Sequence, residues 1–488
     1  PRAQDRPAAV CVAFAMDLSG LLALLDHPAL ASATAAVRPH APRAVLGLPD
    51  GAKAAVIAAL ARDATRPVLV VTGKADTALT LAEEIAAWLG QIDAVLLFPQ
   101  FDLTPYEREA PDPATAEQRL AVLQRLRAWR PGVAPFVVVA SARAVSERTT
   151  TPEAIAAASL ELRLGMRLPM RELLGTLERL GYRHEPLVEA PGQAARRGGI
   201  VDVFVPGTEY PVRIELLGDH VDSLRAFDPA TQRAVALLTE ARVVPAREAR
   251  ATAPAAAALR ARLGFTAMQH GLRARFEEEI GRLAAGQESD PGFYAPFLSP
   301  ALLFDHLPAG ALVVLDEPAD VTHLLDELDV QAAEARAALE AEGRIPRGLP
   351  LPHAARDAVF AALAGQAAVE LHRWAAEAPQ TTLLPFGPAP AFGGRLRQVM
   401  NEVTARTRAG TRVVLVTQQA ARLAELFGEE GLSTAVVREV REPEPPGSLV
   451  IVQGTLRHGW QFDRPDGALL LLTDSELFGF TKQRRQPR

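Results

Sequence analysis

Two short constellations in this chain have the residue types for phosphate chemistry. Gly47-Leu-Pro-Asp-Gly51-Ala-Lys53-Ala54 leads from an apolar run into an alanine-rich one. That is the setting of a P-loop, in which backbone N–H groups curl around phosphates and a lysine reaches them. A working loop needs four residues between its glycines, and a Ser or Thr after the lysine to hold magnesium. Here three residues separate Gly47 from Gly51, Pro49 among them has no N–H, and Ala54 has no hydroxyl. Val313-Val-Leu-Asp316-Glu317 has the form of the companion strand, where Asp holds magnesium and Glu orients water. Without a competent loop these carboxylates have no nucleotide to serve, and a carboxylate pair at a strand end equally suits a helix N-terminus. Gly47, Gly51, Lys53, Asp316 and Glu317 are therefore expected to be a vestigial nucleotide site. Thr72-Gly73-Lys74-Ala75 lacks even the leading glycine.

No other catalytic chemistry is apparent. The 10 histidines fall into no pattern with metal-ligand spacing, no G-x-S-x-G elbow occurs, and Cys11 is the only cysteine. Neither catalytic nor metal-ligating residues are expected. Runs such as Glu277-Glu278-Glu279 and Glu429-Glu430 read as solvated helix faces.

What remains is recognition. In RRGGIVDVFVPGTEYPVRIELLGDHVDSLRAFDPATQR, Arg196 to Arg233, two glycines after paired arginines open a strand over 200–205. Its side chains alternate, so Val201, Val203 and Val205 share a natural core face, and Ile200, Asp202 and Phe204 share one that need not be buried. Arginine and phenylalanine together on a compact antiparallel module are what protein interfaces use as anchors. Arg183, Arg196, Arg197 and Phe204 are the candidates.

The elements that must carry these residues divide the chain. With 488 residues, 49% hydrophobic and 23% charged, several cores are required. The net charge of −6 argues against a chain wrapped around nucleic acid, and a single cysteine excludes internal disulfides. The longest apolar run is far short of a membrane span, so a cytoplasmic monomer with no membrane contact is expected. Strand-like segments at 68–71, 94–98 and 136–140 alternate with helical ones at 75–89 and 114–127, the signature of a parallel sheet with crossover helices. The pattern stops at the threonine run 149–151. An α+β module follows, with a helix over 170–180, and a strand at 311–315 then rejoins the first pattern. After the proline-rich stretch 345–352, segments 413–416, 420–427, 449–452 and 469–472 predict a last small α/β unit. The fold class is α/β: a split parallel-sheet domain, an inserted α+β domain and a further small α/β domain.

The Arg196–Arg233 segment resembles the transcription-repair coupling factors, in the part they share with the excision-repair protein UvrB. Leu97-Phe-Pro-Gln-Phe-Asp-Leu-Thr-Pro-Tyr106, Leu180-Gly-Tyr-Arg-His184, Val314-Leu-Asp-Glu-Pro318 and Asp474-Ser-Glu-Leu-Phe-Gly479 support the likeness. It implies a leader (1–40), a degenerate helicase-like domain 1a (41–151), an inserted domain 2 (152–238), domain 1b (239–346), and domain 3 with the start of a linker (347–488). It implies that domain 2 binds UvrA and recruits it to stalled RNA polymerase, and that Arg183, Arg197 and Phe204 form the contact, with Arg196 beside them. Two departures separate the chain from UvrB: the broken loop, and an interval 98–114 carrying only Phe101 and Tyr106 where UvrB has an aromatic-rich hairpin that threads DNA. The polymerase-binding domain and the ATP- and magnesium-dependent motor on double-stranded DNA are not in this sequence, which is expected to be a fragment or a truncated product. The rival readings are a UvrB-like NTPase using Lys53 and Asp316, and a DNA-binding module tracking phosphates through its arginines.

Overall fold

Valine runs with both faces apolar are stable as strands only where both faces are covered. Val68–Thr72 and Val137–Ser141 are such runs, and every residue in them is buried. The computed structural model describes residues 16–479 except 36, 110, 249–251, 288–291, 374–380, 430 and 433. Cys11 and the tail from Lys482 lie outside the described residues. The chain first lays down β1 (Ala44–Gly47), β2 (Val68–Thr72), β3 (Val95–Phe98) and β4 (Val137–Ser141). These are separated by helices α1 (Asp50–Asp63), α2 (Ala75–Leu89) and α3 (Pro113–Ala128).

The inserted module follows: β5 (Leu160–Arg163), the amphipathic helix α4 (Met170–Arg179), then β6 (Arg183–His184), β7 (Gln193–Arg197), β8 (Ile200–Val203), β9 (Val212–Leu217), β10 (His220–Phe227), β11 (Ala234–Leu238) and β12 (Glu240–Val243). Its six-stranded sheet runs β11-β10-β9-β8-β7-β6, and β12 pairs with β5 beside it. Leu173 and Leu177 of α4 pack with Val201, Val203, Ile214 and Leu224 as a separate core.

After helices α5 (Ala253–Arg262) and α6 (His270–Ala284), the chain returns as β13 (Leu312–Asp316), helix α7 (Pro318–Ala341), β14 (Ala367–His372) and β15 (Thr382–Leu383). The result is one parallel sheet of seven strands, ordered β15-β1-β14-β13-β2-β4-β3. The sequence break at 347 is corrected here. Residues 367–372 lie between β1 and β13 in the first sheet, because a strand's neighbours are set by long-range pairing and not by the prolines before it. The last unit contributes β16 (Phe386–Pro388), β17 (Arg412–Thr417), β18 (Val436–Val437), β19 (Leu449–Gln453), β20 (Trp460–Phe462) and β21 (Leu469–Thr473), ordered β16-β20-β21-β17-β19-β18.

Helix α1 mixes alanines with Val56, Ile57 and Leu60 and has no polar stripe, and Ala52 through Ala61 are all buried. Such a helix must be covered on every side. The first sheet (Val70, Val314, Val369) and the last (Val414, Val452, Leu471) share one core with it, and Trp88 stacks on Trp460 at 5.8 Å. The expected leader is also corrected. Leu18, Leu21, Leu22 and Leu25 enter this core, and Asp17 pairs with the backbone of the last unit, since exposed leucines here would leave both sheets uncovered.

Candidate functional site

The loop-like segment lies between β1 and α1, with only Leu48 and Pro49 separating strand from helix. Two residues cannot curl around a phosphate. Asp50 opens the helix, so a carboxylate stands where an anion would approach the positive helix end. A Cβ on Gly51 would lie 2.6 Å from the carbonyl oxygen of His458, so the last unit closes over the helix start.

Lys53 is 4% exposed, and a buried charge must be paired. Its Nζ lies 2.7 Å from Asp316, 2.6 Å from Glu317 and 3.0 Å from Asp50. Burial alone would lower the lysine's pKa; Asp316, with Glu317 and Asp50, overrides that and holds it above its ordinary value. Asp316 also accepts from the Thr72 hydroxyl at 2.8 Å, and Glu317 accepts from the Arg373 N–H at 2.7 Å. Glu317 reaches the lysine from a left-handed backbone, φ 48°. The structure thus brings Gly51, Lys53, Asp316 and Glu317 together, with Gly47 at the strand end behind them. Lys53 and the Arg373 guanidinium, 2.6 Å from Asp50, face three carboxylates, which leaves this cluster net negative. ATP and magnesium do not fit these residues: the phosphate cradle is missing and the carboxylates that would hold the metal already hold Lys53. Glu84, on the wall of the same cleft of about 490 Å3, is raised to about 7 by burial, against the opposing pull of the Arg457 N–H and charge.

The arginine candidates sit at the β6 edge of the inserted module. Arg183 aligns with Gln193, Ala195 with Asp202 and Arg197 with Ile200; the Phe204 N–H donates to the Gln193 carbonyl at 3.0 Å. Alternation then puts Arg183, Gln193, Ala195, Arg197, Asp202 and Phe204 on one outer face. Arg183 and Phe204 lie one strand either side of Gln193, about 10 Å apart, and Arg197 is about 13 Å further along. Arg183 and Arg197 are exposed and form no ion pair with any described residue.

Two expectations are corrected. The face of Asp202 and Phe204 is covered: Asp202 is 2% exposed and Phe204 7%. Arg213 from β9 grips Asp202 at 2.7 and 2.8 Å while lying over the Phe227 ring, and Val188 with Ala195 packs on Phe204. Arg196 shares the side of Ala194 and Val201, opposite to Arg197, because consecutive strand residues point to opposite faces.

The family described as "UvrB interaction domain" matches residues 160–248, which contain the whole of this face. A "Transcription-repair-coupling factor" of Bacillus subtilis is 26% identical over 464 residues, covering 91% of this chain and 38% of that protein. One from Mycobacterium bovis is 30% identical over 474 residues, covering 88% and 36%. The chain matches the N-terminal part of a transcription-repair-coupling factor. Relatives of that name from Myxococcus xanthus and Escherichia coli agree, at 28% identity over 489 and 270 residues. The chain spans less than two-fifths of the length of the Bacillus and Mycobacterium coupling factors.

Two features of the chain were not singled out from sequence. In the interval 98–114, Tyr106 is buried and its hydroxyl donates to the Pro350 carbonyl at 3.0 Å. Arg108 lies over Phe276 and Phe293, at 4.1 and 4.7 Å, and pairs with Glu279. The loop is strapped to α6. Arg119, fully buried on α3, binds Glu147 and Glu248. Nothing local marks either arginine, since their partners lie far along the chain. No helix among the described residues is long and apolar enough to cross a membrane.

Proposed function

We propose that this segment recruits the excision-repair protein UvrA to stalled RNA polymerase through the outer face of the inserted module. The carrying observation is that Arg183 and Arg197, exposed and unpaired, share one face with Phe204 inside the span matched by the UvrB interaction domain. Unpaired guanidiniums suit bidentate capture of carboxylates on a partner. Phe204, already packed on Val188, supports the strand that presents them. The scaffold is nucleotide-silent in this reading, because Lys53 takes the place of a cofactor's cation. Engagement of RNA polymerase and double-stranded DNA, and ATP- and magnesium-dependent translocation, are proposed for the whole protein and assigned to regions beyond this segment. Binding to immobilised UvrA tests the reading. Arg183→Ala and Arg197→Ala should each weaken capture about tenfold, the size of an interface anchor. Arg196→Ala, on the opposite face, should change it less than threefold. Unchanged capture by both Arg183→Ala and Arg197→Ala would remove the face from the site.

A further inference from the structure

The chain passes between scaffold and inserted module twice, outward through residues 147–151 and back through 244–248. Both crossings meet at one side chain. Arg119, on α3 of the scaffold, is 0% exposed. Its Nε and Nη2 donate to the two carboxylate oxygens of Glu248 at 2.8 and 3.1 Å. Its Nη1 donates to Glu147 at 2.7 Å and to the Pro99 carbonyl at 2.9 Å. The guanidinium lies between the rings of Phe98 and Phe101, 4.2 and 4.4 Å away, and the Phe101 N–H donates to Glu147 in turn. One planar group therefore ties the outgoing segment, the returning segment and a scaffold loop.

The module rests on the same helix. A Cβ on Gly207 would lie 3.3 Å from that of Ala121, so the turn three residues beyond Phe204 sits directly on α3. A buried ionic cluster contributes little more stability than apolar residues of the same volume; its fixed donors and acceptors instead select one arrangement over others. A plain apolar seat would tolerate sliding, whereas this guanidinium has a single geometry that satisfies both glutamates.

We propose that Arg119 is a positioning residue for the partner-binding face: it latches both crossings to α3 and so fixes the direction in which Arg183 and Arg197 point. Its functional consequence rests on the recruitment reading above; its geometry does not. Without the latch the module keeps its own core and swings about the two crossings.

The test uses the full chain with Cys11→Ser and spin labels at Ala128→Cys on α3 and Ala230→Cys on the module, both exposed positions. Double electron–electron resonance reads the distance between them. Glu248→Gln removes the charge from the returning crossing alone, and Arg119→Gln removes the latch. The expected result is a distance distribution at least twice as wide in each folded variant, with the scaffold's melting profile retained in Glu248→Gln. Where Arg119→Gln does not fold, Glu248→Gln decides. A distribution as narrow as the parent's in Glu248→Gln overturns the proposal. Capture by UvrA is measured separately on Arg183→Ala, so a swinging module that binds and a fixed one that does not are told apart.

Discussion

Lys53→Met isolates what the ion cluster around Lys53 contributes to stability. Methionine keeps the volume of the side chain and removes its charge, leaving Asp316, 5% exposed, beside Glu317 and Asp50 with no ammonium between them. Removing one partner of a buried ion pair costs about 3–5 kcal/mol. The lower end applies here, because Asp316 keeps the Thr72 hydroxyl, Glu317 keeps the Arg373 N–H and Asp50 keeps the Arg373 guanidinium at 2.6 Å. At about 2–4 °C per kcal/mol for a unit of this size, a loss of about 3 kcal/mol lowers the scaffold's melting temperature by roughly 6–12 °C. Calorimetry measures it. The double variant Lys53→Met/Asp316→Asn should recover at least half the loss, since a neutral amide no longer needs the ammonium. In wild type the sign with pH follows from the raised lysine: its contribution is whole below its ordinary value of 10.5 and is lost as pH rises above that. A Lys53→Met loss under about 1 kcal/mol, or a double variant no better than the single, would refute the reasoning. Magnesium-dependent ATP binding by the parent that Lys53→Ala abolishes would refute the silent reading of the cleft itself.

Two further outcomes follow from the same cleft. Gly51→Ala drives a methyl into the backbone of His458, 2.6 Å from its carbonyl oxygen, and should cost about 1–3 kcal/mol in urea unfolding; no loss would mean the last unit does not press on the helix start. Glu84, raised to about 7 by burial, binds a proton when folded that it releases when unfolded. Its contribution to stability is therefore whole below about 4.5 and is lost as pH rises through about 7. Glu84→Gln should melt above the parent at pH 8, by a margin that shrinks towards pH 4.5; a pH-independent margin would contradict the assignment.

Much of the scaffold was legible because its signals are local. The helix over 75–89 and the strands near 68–71, 136–140 and 312–316 carry their period or their valine runs within themselves. The place of β14 was not legible, because its register with β1 joins segments more than 300 residues apart. Alternation predicts the faces of β8, with Val201 and Val203 inward and Asp202 on the other side, joined by Phe204 just past the strand's end. That the outer face is also covered depends on Arg213 from another strand and on Val188, which no period reveals. The opposed directions of Arg196 and Arg197 were available in principle. A strand beginning at Ile200 leaves them as a pair before it, whereas both arginines belong to β7. Arg119 gave no signal, one arginine among many on an ordinary helix.

The position of β14 governs how the protein can be made. β1 pairs with the rest of its sheet only through β14, which leaves the ribosome roughly 320 residues later, about 16–65 s at ordinary synthesis rates. During that interval the inserted module, whose strands all lie between residues 160 and 243, can complete its own sheet. The alanine-rich helix α1 packs early on α2 but is not covered on every side until the chain beyond Ala367 has emerged. The inserted module and its seat on α3, beside the paired strands β2, β4 and β3, are thus made long before β1 joins the sheet, and chains stalled in synthesis before that point would carry a seated module on an unfinished scaffold.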